Sequence, residues 1–183
     1  METPTAKDYI ELLNNTNRLY VLLGVGITLI VLSIFYPFFV PFAFLVSFCF
    51  LDVVGFKTFS ESADELYYHG YVLNNDAKIL AKRMIPAYRI LQATIQVSLL
   101  LVITLHFGLI YAMAAEILHW FAVQDLLYYW TVNVPLPKTW TWLHWTPFGI
   151  LDGNLTNGQV ITMSVLGLLI SIVLLIIKYI NDK

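Results

Sequence analysis

Glu116 and His119 stand three residues apart at the start of EILHWFAVQDLLYYWTVNVPLPKTWTWLHWTP, which runs from Glu116 to Pro147, and Asp125 follows six residues later. Residues three apart are neighbours on a helix, and a carboxylate beside an imidazole can ligate a metal or work as an acid/base couple. Glu116, His119 and Asp125 are therefore the candidate catalytic residues. On one straight helix, at about 100° per residue, Asp125 falls on the side opposite Glu116 and His119, so the three cannot grip a single ion. A metal centre needs a third ligand beside Glu116 and His119, and His144, carried back by the turn at Pro135 and Pro137, is the candidate. Di-iron carboxylate bundles also use Glu-x-x-His, but they need a second pair and two further glutamates, and no second copy occurs here. A metal cofactor thus has an incomplete ligand set.

The same stretch holds all five tryptophans of the chain. Trp and Tyr gather where an apolar body rests in acyl chains while an N–H or O–H meets headgroups, so an aromatic belt at one membrane interface is the simplest expectation. The sharper alternative is a lid of Trp140 and Trp142 over an apolar ligand such as a lipid or quinone. A third candidate is His106, with Gln96 on the same helical stripe as Gln92, Leu99, Ile103 and Ile110. Polar groups are costly against lipid, so this stripe is expected to face the interior of a bundle, where His106 and Gln96 serve as ligand contacts, a proton relay or plain helix glue. Glu61, Asp64, Glu65 and His69 also share a helical face, which reads as a solvated surface.

Composition sets the class that must position these residues. The 183 residues are 59% hydrophobic and 12% charged, with a mean hydropathy of +0.74, whereas soluble domains carry about 25% charged residues. An integral membrane protein is expected, with membrane lipids as its first partners. A net charge of −2 and no basic run interleaved with aromatics give no footprint for nucleic acid. The single cysteine, Cys49, allows no intramolecular disulfide.

Three apolar blocks are evident, and the first, from Tyr20 to Phe56, is interrupted by YPFFVP, where Pro37 and Pro41 favour a tight hairpin. The expected fold is therefore all-α and polytopic, a single membrane domain with transmembrane helices at about 19–36, 40–56, 88–114 and 159–178. Amphipathic interfacial helices are expected before Arg18 and before Arg89. With four spans, nine of the ten Lys and Arg residues fall on one side, so both termini are expected to be cytoplasmic and the Trp-rich segment 116–147 extracytoplasmic.

No phosphate loop, nucleophile elbow or His-Glu-x-x-His pattern is present. The leading expectation is a non-catalytic subunit or accessory component of a membrane complex, joined to other subunits or to itself. The alternatives are a membrane enzyme acting on a lipid or quinone at the Glu/His/Trp-rich site, and a transporter or channel component using the His106 stripe.

Overall fold

The computed structural model describes residues 16–68, 76–140, 142–143 and 146–182, with side chains described over 17–55 and from 87 onward within those bounds. The expected interfacial stretch before Arg18 lies largely outside the described residues, as do His69, His144, Trp145 and the side chains of the 61–65 acidic face. The described chain is helical: α1 (Thr16–Phe35), α2 (Val40–Tyr68), α3 (Asp76–Phe107), α4 (Leu109–Trp120), α5 (Val123–Val132), α6 (Pro147–Asp152) and α7 (Asn157–Asn181). Four stretches are long and apolar enough to cross a membrane: Asn17–Phe35, Pro37–Gly55, Ala87–Phe107 and Asn157–Asn181.

The hairpin between α1 and α2 forms at the prolines. Tyr36 is extended, as a residue before proline prefers, and Pro37–Phe39 make one 3₁₀ turn before α2 begins. Leu22, Val46, Cys49 and Val53 then bury one another along the α1–α2 seam, joined by Val132.

The third span ends sooner than the sequence suggested. Gly108 takes φ 102° and ψ 161°, a conformation open to glycine and strained for other residues, and the chain reverses there. Residues 109–114, expected as the end of a span over 88–114, instead open α4, which runs back beside α3 so that Gln96 reaches Glu116. Long apolar runs register α3 and miss this turn, because α4 is only 12 residues long. A second break follows at Ala122, in the left-handed region at φ 58°, and a third at Asn133, φ 57°, which caps α5.

A ridge of small residues on α7 lets it lie close along the returning limb. Ser171 Oγ donates to the Ala114 carbonyl and Ser164 Oγ to the Phe121 carbonyl, each at 3.0 Å. Between them, a Cβ on Gly167 would fall 2.3 Å from Phe121 Cβ, so only glycine fits. These contacts make α7 antiparallel to α4 and hence parallel to α1 and α3. Thr16 and Asn181 therefore lie at opposite ends of the bundle.

That limb also carries the Trp-rich segment back to the end of the bundle where α1 starts. Arg18 donates to the Trp130 carbonyl at 2.7 Å and lies 5.5 Å over the Trp130 ring. Trp130 thus lies at the Arg18 end of the bundle. Trp140 then pairs with Leu155 through backbone bonds, and Thr146 and Thr156 cap α6 and α7, the latter in a reciprocal box with Gln159.

Candidate polar site at the Arg18 end of the bundle

The limb brings its polar residues to a carboxylate on α2. Asp52 is the one charged residue in the first apolar block. Its Oδ1 accepts from Tyr88 at 3.0 Å and from Gln92 at 2.5 Å, and its Oδ2 accepts from Gln124. Bonds to a charged acceptor contribute about 1.5–3 kcal/mol each, which offsets the cost of holding a carboxylate among helices. Gly55 makes the Tyr88 bond available: a Cβ there would meet Tyr88 Cε2 at 2.4 Å, so its absence lets the phenol lie against α2.

Gln124 has a second partner. Its Oε1 lies 2.5 Å from His119 Nδ1, and the His119 ring stands edge-on to Phe48 with centroids 5.4 Å apart. The break at Ala122 makes this possible, because it turns Gln124 and Asp125 toward the side that His119 occupies. Asp125, expected on the far side of a straight helix, therefore shares a cavity with His119. Its Oδ1 accepts from Trp142 Nε1 at 3.1 Å. Asp125 lies outside the four spans, and burial pushes its carboxyl above the ordinary range, opposed by the Trp142 bond and by nearby His119.

The cavity has a volume of about 460 Å³ and is lined by Asp52, Arg89, Gln92, Gln96, His119 and Asp125, with Tyr128, Tyr129 and Trp142 among the aromatic walls. Ligand pockets span roughly 300–1,000 Å³. Tyr129 and Trp142 stack with planes 18° apart, and Trp140 closes against both.

The candidate residues thus separate into two groups. His119, Asp125, Gln96 and Trp142 line the cavity. Glu116 lies behind it, with both carboxylate oxygens held by Gln96 at 3.0 and 3.1 Å. Trp140 is completely buried, its indole donating to Asn157 at 2.6 Å, so it belongs to no membrane belt. Trp120 and Trp130 are exposed. His106 is exposed in the last turn of α3, beside Phe107, because the helix stops one residue later. The stripe expected to face inward does so at Gln92, Gln96 and Ile103 and leaves the interior before His106. Among the described residues no group of three His, Cys, Asp or Glu is gathered to hold a metal. Glu116 and His119 turn to different amide partners, and His144 is outside the described residues.

Asp52, Tyr88, Arg89 and Gln124 are the site residues that sequence reasoning passed over. A lone acid within an apolar run was the available signal. No protein-family model matches the chain, and comparisons with curated proteins and with solved structures found no match.

Proposed function

We propose that this protein binds the polar head of an amphiphile, a lipid or a quinone, in the Asp52–Asp125 cavity, with His119 as the acid/base group of the site. The observation that carries the proposal is the polar chain from His119 through Gln124 to Asp52 in the wall of a ligand-sized cavity. Ionisable groups among membrane helices are expensive and usually serve function, and an imidazole oriented by an amide suits proton transfer. The exposed apolar faces of α1 and α3 serve a bilayer as well as a partner subunit, so they do not favour the accessory-subunit alternative. His106 is exposed, so it lends no support to the transporter alternative, which drew on it.

The same proposal includes a sidedness. Arg18 and Arg89, the α2 and α3 extensions carrying Lys57, Lys78, Lys82 and Arg83, and Lys138 belong to one end, which the positive-inside rule assigns to the cytoplasm. The site then opens near the cytoplasmic leaflet, and Asn181 lies on the opposite face.

Thermal unfolding of the purified protein against a panel of lipids and quinones tests the binding. A member of the panel is expected to raise the Tm of the wild type and to leave Gln124→Leu unchanged. No stabilisation of the wild type by any lipid or quinone contradicts the proposal.

A further inference from the structure

We infer that the amphiphile is a phospholipid whose head carries both an ammonium and a phosphate, an inference that rests on the binding proposal above and narrows its ligand. The cavity is lined by charged groups of both signs. Both oxygens of Asp52 are occupied by Tyr88, Gln92 and Gln124, so that carboxylate organises the wall. Asp125 accepts from Trp142 through Oδ1 and also has a bond to backbone and the attraction of nearby His119, so its carboxyl faces the cavity held on one side by the indole. Arg89 lines the same cavity, is exposed, and lies within electrostatic reach of Asp52.

The surroundings of the two charges differ in a way that sorts a head group. Asp125 is flanked by Tyr128, Tyr129 and Trp142, and an ammonium between ring faces and a carboxylate gains cation–π and ionic attraction together. The Arg89 guanidinium presents a planar fork that suits phosphate oxygens. A quinone head carries neither charge. An anionic head without an ammonium brings its charge against Asp125, a repulsion that acts as specificity.

The exposed surface of α3 beside the cavity suits the rest of a lipid. Ala93, one turn beyond Arg89, lines the cavity and is exposed, and Ile90 and Val97 on the neighbouring face of α3 are exposed as well. A head inside the cavity leaves its acyl chains a path past the small Ala93 side chain onto this apolar face, where a bilayer would receive them.

Binding to the purified full-length protein in detergent, followed by native mass spectrometry, tests the inference with four probes: phosphatidylethanolamine, phosphatidylglycerol, ubiquinone and chain-free glycerophosphoethanolamine. Phosphatidylethanolamine is expected to bind about tenfold more tightly than phosphatidylglycerol, a difference of 1.4 kcal/mol. Asp125→Asn, which keeps an acceptor for Trp142, is expected to bring that ratio near one. Arg89→Gln, at an exposed position, should weaken both lipids alike. Equal or inverted preference in the wild type overturns the inference, as does glycerophosphoethanolamine binding as tightly as the lipid, which would identify a soluble ligand. Binding of ubiquinone alone overturns the inference and leaves the amphiphile proposal standing, whereas binding of none of the four removes both.

Discussion

His119 Nδ1 lies 2.5 Å from Gln124 Oε1, across the helix break at Ala122. The Gln124 amide nitrogen is committed to Asp52, so Oε1 is an acceptor and Nδ1 must carry the proton. In a neutral ring with Nδ1 as the donor, Nε2 is the acceptor nitrogen. Asp52 thus sets the tautomer of a residue 67 positions away through one amide.

Gln124→Leu removes the link and leaves Asp52 and His119 each short of a partner. Such a loss costs about 1–3 kcal/mol. A lower unfolding midpoint in detergent is expected, and an unchanged midpoint would show that the chain contributes little.

Gly55→Ala tests the approach of Tyr88 to Asp52. The added Cβ would meet the ring at 2.4 Å, and forcing extra volume into packed structure costs about 1–3 kcal/mol. The phenol must withdraw, so ligand affinity is expected to fall with stability. Tyr88→Phe removes only the hydroxyl and should cause the smaller stability loss of the two. The reverse order, measured by thermal unfolding, speaks against a steric role for Gly55.

The raised Asp125 carboxyl implies a pH dependence whose sign is fixed. An unfolded aspartate titrates near about 3.9, while burial holds the folded group above that. The folded state therefore binds the proton more tightly, and the stability this gives is lost as pH rises through the folded value. Asp125→Asn carries no such charge. Its unfolding midpoint should gain on the wild type as pH rises from 4 to 8, and a constant difference across that range contradicts the assignment.

Much of the architecture was legible because it follows from hydropathy and proline. YPFFVP announced the first hairpin. The returning limb was not legible, since its turns depend on single backbone conformations at Gly108 and Ala122 inside a sequence that reads as continuous helix. Those two turns decide the site. They convert Asp125 from a residue on the wrong face into a neighbour of His119, and they bring Gln124 to Asp52, a pairing across 72 residues that no local spacing encodes. Trp142 was expected as one residue of a lid from its aromatic neighbours, whereas its bond to Asp125 depends on the same turns.

The topology prediction separates the limb from a simple four-span count. Single cysteines at Thr139 and at Asp182, in a background where Cys49 is replaced by alanine, are expected to react from opposite sides of the membrane. Labelling of both from one side would require the limb to be misplaced.

Photo-crosslinking at the mouth tests amphiphile binding most directly. A photoreactive residue at Ala93 is expected to capture one amphiphile species in native membranes, with a yield that falls several-fold when Gln124→Leu is added. The same residue at Leu101, on the exposed face of α3, should capture bulk lipid at a yield that Gln124→Leu leaves unchanged. Identical adducts from the two positions, both indifferent to Gln124→Leu, would contradict a binding cavity and leave Ala93 as one more lipid-facing residue.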